Sequence, residues 1–335
     1  MKKENTQITI AMSGGKDSSV SAALLKRAGF NVSGLFLKLY PSSDQEKKAR
    51  AAAKMIGIPF SVLDLRKEFK KRVVDYFLKE EKKGRTPNPC VVCNEKIKFQ
   101  EPFKRGGFLA TGHYARAVKG RLFKGKDRKK DQSYFLWRLS SEKLDKIIFP
   151  LGTFEKKEVE KIAKDFNLPC SKDKESQEIC FVSGPLCRFL SKHFPKKEGE
   201  IRDRKGNVLG RHQGLWLYTI GQRKGIGLPG GPFYVLKKDL EKNVLILTDR
   251  EKDLYRKEAE VSELNWISGK APKLPFQSAV KIRYRQDPVP AVLRKKGKNG
   301  LRISFRSPQR AVTPGQSAVF YKGEEVVGGG VIIDP

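Results

Sequence analysis

The stretch Ser13-Gly14-Gly15-Lys16-Asp17-Ser18-Ser19 restricts the fold more than any other part of this chain. It follows the apolar run Ile8 to Met12, which has the alternation of a short buried strand, and it runs into Val20-Ser21-Ala22-Ala23-Leu24-Leu25, which has helical spacing. A strand, a glycine turn and a helix in succession make an anion site. Adjacent glycines let the backbone turn with its N–H groups facing one point, and the following helix adds its positive end and free donors there. Phosphate is the natural occupant. The plain alternative is a glycine turn capped by serine, since Ser and Asp are common where helices begin.

The spacing is not that of a Walker loop, which needs a longer spacer and a Gly-Lys-Ser/Thr ending. The stretch resembles the PP-loop of ATP pyrophosphatases. That resemblance implies cleavage of ATP between its α and β phosphates, with AMP left on an oxygen of the substrate. Asp17 would help hold Mg2+, and the loop amides with Ser13, Ser18 and Ser19 would hold pyrophosphate.

With 335 residues the chain has room for two or three domains, each with its own core. No apolar run approaches membrane-spanning length and no secretory leader precedes the first strand, so a soluble, cytoplasmic protein is expected. Lys and Arg total 70 against 37 Asp and Glu, a net charge of +33. Such an excess suits a polyanion, nucleic acid first, because each neutralised phosphate releases counterions; a solvated basic surface is the bland alternative. The cysteines Cys90, Cys93, Cys170, Cys180 and Cys187 are odd in number, which argues against a disulfide framework and for chemistry or metal binding.

Strands are expected at Asn31 to Tyr40 and Pro59 to Leu65, and helices at Asp44 to Ile56 and Lys67 to Lys82, a pattern that builds a parallel sheet covered on both faces. Ligands sit beyond the carboxyl ends of such strands, where the glycine turn already lies. Phe108 to Arg116 reads as one further strand, and Ser141 to Ile148 and Glu155 to Phe166 as helices. In Asn88-Pro89-Cys90-Val91-Val92-Cys93 both cysteines fall near a helix start, where the helix N-terminus, Lys96 and Lys98 are expected to lower a thiol pKa. His113 alone reads as a satisfied structural histidine, and Cys180 in its apolar run as a buried, inert one. From Lys196 the texture changes to glycine turns and short strands. The expected division is 1–195, an α/β phosphate-loop domain; 196–257, a small central β-rich domain; and 258–335, a C-terminal β-barrel.

The motifs SGGKDSS, GRTPNPCVVCNEKIKF, ATGHYAR, KDQSYFLW, SQEICFV, TIGQRKGIGLPGG and KIRYRQ occur in this order, and the chain is similar over almost its whole length to the MnmA family of tRNA-specific 2-thiouridylases. The resemblance implies an adenine nucleotide alpha hydrolase-like fold and ATP-dependent replacement of the 2-oxygen of the wobble uridine by sulfur in tRNAs for Lys, Glu and Gln. Cys180 would carry a persulfide and Cys93 would be its partner thiol. ATP would contact Ala11, Met12, Ser13, Gly14, Gly15, Lys16, Asp17 and Ser18, the backbone at Leu37, and Gly112. The target base would meet Asn88, Pro89 and Cys90. The anticodon stem-loop would be held near His113, Lys130, Asp131 and Gln132, with Arg283, Tyr284 and Gln316 reaching from the barrel; unstacked loop bases are recognised in this way. The sulfur donor would be a persulfide carrier, a cysteine desulfurase or sulfide.

One departure stands out: the family's usual Asp is Cys90 here, so DxxC becomes CxxC. Either Cys90 is a substitute thiol beside a cluster-free persulfide route, or Cys90, Cys93 and Cys180 bind three irons of a 4Fe–4S cluster whose fourth iron takes sulfide. Another PP-loop enzyme, an amidoligase or a 2-thiocytidine synthetase, is the nearest rival. A non-catalytic RNA-binding protein with a relic loop is the rival of a different class.

Overall fold

The computed structural model describes residues 6–41, 43–104, 106–169, 179–182 and 184–334. The first seven strands are β1 (Gln7–Ala11), β2 (Asn31–Lys38), β3 (Phe60–Asp64), β4 (Phe108–Thr111), β5 (Ala115–Val118), β6 (Arg121–Lys124) and β7 (Ile147–Ile148). Five of them form a parallel sheet in the order β3-β2-β1-β4-β7. The chain builds outward from β1 to β3, then returns to the other side of β1. Loops leaving β1 and β4 therefore diverge, and a crevice opens between them at the strands' carboxyl ends. Ile8 and Ile10 are fully buried against Val32, Phe36 and Ala110, each side chain contributing about 1.5–3 kcal/mol of burial.

Helix α1 (Lys16–Arg27) follows the glycine turn and gives way at Gly29, whose φ of +85° only glycine adopts without strain. Helix α2 (Ser43–Ile56) packs on α1, α3 spans residues 66–82 and α4 residues 89–98. Both α3 and α4 contain a π-turn, at Lys70–Val74 and Asn94–Lys98, the distortion that often marks a functional region. Helix α5 (Lys156–Asp165) starts in a capping box between Glu155 and Glu158.

Two elements differ from the sequence reading. The strand from Phe108 stops at Thr111, because Gly112 lies on the start of α1 with room for no side chain: a Cβ there would sit 2.9 Å from the Asp17 and Ser18 backbone. The chain then turns out of the parallel sheet, and β5 and β6 make a hairpin that joins the C-terminal sheet where Leu122 and Phe123 of β6 pair with Val326 and Glu325. The helix expected at Ser141 to Ile148 covers only Ser141–Leu144, since the β-branched pair Ile147-Ile148 adds to the parallel sheet as β7.

Strands β8 (Gly199–Arg202), β9 (Val208–His212), β10 (Tyr234–Asp239) and β11 (Val244–Thr248) form a separate sheet in the order β10-β11-β8-β9. The last six are β12 (Tyr255–Trp266), β13 (Phe276–Lys281), β14 (Val289–Lys296), β15 (Gly300–Arg310), β16 (Ser317–Lys322) and β17 (Glu325–Asp334); pairing of β12 with β17 closes them into a barrel. Strand β16 shows the period of two clearly. Ala318 and Phe320 point into the barrel, while Val319 and Tyr321 pack outward against Trp137, Tyr134 and Leu136. Trp137 Nε1 donates to Ser317 Oγ at 3.0 Å, and a Cβ on Gly329 would meet the Trp137 ring at 2.7 Å. The Ser133 to Trp137 segment is thus the seam that fastens the barrel to the first domain.

Candidate active-site cleft

A cleft of about 1750 Å³ opens at the switch point, and its walls come from the parallel-sheet domain, the Thr219–Gln222 loop before β10 and the barrel. The glycine turn forms one end. Ser18 Oγ accepts from Ser13 N–H at 3.1 Å and donates to the Gly15 carbonyl at 3.0 Å, and Ser19 Oγ donates to the same carbonyl at 3.1 Å. Gly14 has φ +81° and rests on α2, where a Cβ would come within 2.3 Å of the Gln45 carbonyl. Gly15 caps α1 without a side-chain acceptor, so the first amides of α1 remain directed at the cleft. A serine-braced, glycine-tightened loop of this kind is preorganised for phosphate.

Asp17 sits one residue into α1. Its Oδ1 accepts from Lys156 Nζ at 2.8 Å and from Tyr114 Oη at 3.0 Å, and the Lys156 ammonium also lies 5.7 Å from the centre of the Tyr114 ring. Lys156 comes from the first turn of α5 and is only 9% exposed. Sequence reasoning missed both Lys156 and Tyr114. No local signal marks a lysine 139 residues away as the partner of Asp17.

The thiols form the other end. Cys90 and Cys93 are one turn apart on α4; Cys90 opens to the cleft, while Cys93 is 4% exposed in a core with Phe69, Val73 and Ile97. Cys180 is exposed, and Phe181 beside it is anchored edge-on to Phe69 and Phe77 at 5.7 and 5.6 Å. Lys98 lies among the three thiols and Tyr40. Burial favours its neutral form, but Cys93, Cys180, Cys90 and Tyr40 together hold it as an ammonium, above the usual lysine range. The expected lowering of thiol pKa is overturned. Loss of water around the sulfurs, complete at buried Cys93 and partial at the cleft-facing Cys90 and Cys180, pushes all three thiols up, Cys93 to about 12, and the opposing pull of Lys98 only partly offsets it. The reading of Cys180 as buried is likewise corrected, and Cys170 lies outside the described residues.

Between the two ends stands a wall of aromatic and cationic side chains. Phe135 and Tyr284 pack at 4.5 Å, with Lys281 Nζ 5.6 Å from the Tyr284 ring. Arg283 donates to the Ala311 carbonyl, and Gln316 Nε2 to the Thr86 carbonyl at 2.8 Å, so Gln316 holds the loop that leads to Asn88, Pro89 and Cys90. Lys130, Asp131 and Gln132 line the cleft, but the Asp131 carboxylate is 4% exposed and accepts from the amides of Gly125 and Ser133 and from Ser133 Oγ. Gln132 bridges to both backbone groups of Tyr114. His113 Nδ1 lies 2.7 Å from Thr111 Oγ1 between Phe99 and Phe149, and burial, reinforced by Lys98, takes its pKa to about 3, so the ring is neutral. Ala11 is the last residue of β1, Met12 follows it fully buried, and Leu37 is the penultimate residue of β2; the three do not line the cleft.

Sequence models of three domain families match along the chain: a tRNA methyl transferase HUP domain at residues 6–184, a tRNA methyl transferase PRC-barrel domain at 187–249 and an aminomethyltransferase beta-barrel domain at 256–332. The tRNA-specific 2-thiouridylase MnmA of Clostridioides difficile is 42% identical over 98% of this chain and 98% of its own. The enzyme of the same name from Francisella tularensis is 42% identical over 98% of this chain and 100% of its own. The chain belongs to the tRNA-specific 2-thiouridylase family. Among solved structures, a 4-thiouridine synthetase bound to RNA and ATP aligns with 52% of this chain and 45% of its own at 19% identity and TM-score 0.35.

Membership in the thiouridylase family sharpens the question of the CxxC pair. Among the described residues no three His, Cys, Asp or Glu side chains gather closely enough to hold a metal ion, and the space shared by Cys90, Cys93 and Cys180 is the surrounding of an ammonium. Among the described residues, those thiols do not gather as the ligands of a single metal ion do. Magnesium is less demanding, since one carboxylate with substrate phosphates suffices, and Asp17 lines the cleft beside the glycine turn. Among the described residues no helix of this thiouridylase-family chain is long and apolar enough to cross a membrane.

Proposed function

We propose that this chain is a transferase that replaces the 2-oxygen of the wobble uridine in tRNA by sulfur, at the cost of ATP. The observation that carries this reading is one cleft with a phosphate loop at one end and accessible thiols at the other. A uridine carbonyl oxygen is a poor leaving group. Attack of O2 on the α-phosphorus of ATP, with loss of pyrophosphate into the Ser13–Ser19 loop, makes it part of a departing AMP. Bound Mg2+, held by Asp17 and the phosphates, would offset negative charge there.

Sulfur then arrives on Cys180 as a persulfide supplied by a donor outside the chain. Its terminal sulfur bonds to C2 as the C2–O bond breaks and AMP leaves with the electron pair. The Cys93 sulfur attacks Cys180 Sγ, the bond to the transferred sulfur breaks, and 2-thiouridine is released beside a Cys93–Cys180 disulfide that an external thiol must reduce. Lys98 stabilises the sulfur anions this sequence passes through. Cys90 stands in for the family's carboxylate as a thiol at the target base, with Asn88 and Pro89. Residues 258–335, through Arg283 and Tyr284, and the Lys130–Gln132 loop would hold the anticodon stem-loop against the 1–195 domain, with 196–257 completing the wall.

A methyl transfer, suggested by the wording of the HUP-domain family, needs neither a pyrophosphate loop nor paired thiols. The test is turnover of ATP to AMP and pyrophosphate that depends on tRNA and a persulfide donor, with 2-thiouridine measured by mass spectrometry of the digested RNA. RNA binding without AMP formation or thiolation would leave the non-catalytic rival standing.

A further inference from the structure

Lys156 is assigned no role by the reading above, yet its surroundings are built with care. Its ammonium is ion-paired with Asp17 at 2.8 Å at the mouth of the phosphate loop, and both residues line the cleft. Its backbone is fixed separately: the Lys156 N–H donates to Asp127 Oδ2 at 3.0 Å, while Asp127 Oδ1 accepts from the amides of Lys129 and Lys130 at 3.0 and 3.2 Å. The floor beneath the ion pair is Tyr114, and Tyr114 is bound through its backbone to Gln132. The segment from Asp127 to Gln132 therefore sets the position of both groups that touch Asp17.

We propose that Lys156 is a further catalytic residue, which moves its ammonium from Asp17 to the departing pyrophosphate of the nucleotide. This rests on the ATP-cleaving reading of the cleft. In the structure the lysine neutralises a carboxylate beside the anion loop. When nucleotide enters, the phosphates bring several negative charges to the same spot, and an ammonium on a flexible stem a few ångströms away follows the larger charge. As the bond between the α-phosphorus and its bridging oxygen breaks, the electron pair goes to pyrophosphate; Lys156 balances that charge and no proton moves. Asp17 is released by the same motion to serve the metal. Because the Asp127–Gln132 segment also carries the residues expected to touch RNA, the placement of Lys156 is tied to whether that segment is held.

The probe is inorganic pyrophosphate, titrated calorimetrically into the full chain with and without Mg2+, alongside steady-state pyrophosphate release. Lys156→Met keeps the backbone bond to Asp127 and the packing on Tyr114. It is expected to weaken pyrophosphate binding about ten- to a hundredfold, the effect of losing a charged hydrogen bond, and to lower kcat more than it raises KM for ATP. Lys156→Arg should recover most of both. Asp17→Asn removes the carboxylate partner and should tighten metal-free pyrophosphate binding; the part of that gain that belongs to Lys156, beyond simple relief of carboxylate repulsion, is lost in the Asp17→Asn, Lys156→Met double variant. Unchanged pyrophosphate affinity and kcat in a folded Lys156→Met, or no gain in Asp17→Asn, overturns the proposal. Failure of the unmodified chain to bind pyrophosphate at all would instead count against the ATP-cleaving reading itself.

Discussion

The Gln316 side-chain amide in the barrel donates to the Thr86 carbonyl at 2.8 Å, and the Thr86 N–H donates back to the Pro314 carbonyl at 2.9 Å. Between them Gly315, at φ +93°, presses on Arg85 and Thr86 so closely that a Cβ would sit 3.0 Å from both. Tyr134, fully buried, donates its hydroxyl to the Ser317 carbonyl at 3.0 Å and so ties the Ser133–Trp137 seam to the same edge of the barrel. The loop that presents Cys90 is therefore held by the barrel as much as by its own domain.

Gly315→Ala should cost about 1–3 kcal/mol from the left-handed backbone alone, read as a lower melting temperature. Gln316→Ala, which removes one hydrogen bond and leaves a carbonyl unsatisfied, should cost about 1 kcal/mol and reduce thiolation severalfold. Pyrophosphate binding in the Gln316 variant should be unchanged, because the phosphate loop is braced within its own domain. Parallel loss of thiolation and pyrophosphate affinity would show that the loop contact serves general stability instead.

Cys90→Asp restores the family's usual residue and is expected to keep thiolation in enzyme free of iron, whereas Cys93→Ser and Cys180→Ser lose it. Anaerobic purification with iron and sulfide analysis, followed by assay with a persulfide donor, makes the comparison. Iron that falls together with activity in Cys90→Asp would mean that Cys90, Cys93 and Cys180 share a cluster, and would count against the simple persulfide relay. Alkylation provides an independent measurement: exposed Cys90 and Cys180 should react well before Cys93, whose rate should still be climbing above pH 9 because burial raises its pKa to about 12.

Glu81, on α3, is 7% exposed and burial raises its pKa to about 7, with Lys238 of β10 only partly opposing. The folded state thus keeps a proton that the unfolded state releases near the ordinary glutamate value. Stability from this group is complete below about pH 4.5, falls as pH rises toward 7 and is level above it, a change on the order of 3 kcal/mol. Glu81→Gln should remove that slope, so that the variant gains on the parent at pH 8 but not at pH 4.5. Denaturant titrations at the two pH values test this, and an unchanged slope would mean that Glu81 is ionised in the fold.

Affinity for tRNA should fall steeply with salt, by about tenfold or more between 50 and 200 mM, as expected when several phosphates are neutralised. The net charge of +33 and the cleft residues Lys130, Lys281 and Arg283 motivate the expectation. Binding that barely responds to salt would place recognition in base contacts alone.

The features legible from the sequence were those written in contiguous residues. Ile8 to Leu25 announces a strand, a glycine turn and a helix because each follows from spacing over a few residues, and the observed β1, Gly14-Gly15 and α1 fall there. The alternation of helices and strands likewise specified a parallel sheet, and the change of texture after Lys196 foretold the β-rich remainder. Where local pattern and tertiary demand competed, the sequence misled: Ile147-Ile148 has helical neighbours but joins the sheet, and the residues after Gly112 leave it for the barrel.

The chemistry of the cleft was decided only by the complete fold. Helix start and lysines suggested lowered thiol pKa values near Cys93, but desolvation is a sum over every element packed around the sulfur, including Phe69 and Val73 of α3, and it outweighs one ammonium. The pairing of Asp17 with Lys156 and the grip of Gln316 on Thr86 span 139 and 230 residues. The residue types and the short-range turns belong to the sequence by itself. Which charge meets which, and how much water each has lost, depends on distances that exist only once the sheet, the seam at Trp137 and the closed barrel have brought remote segments together.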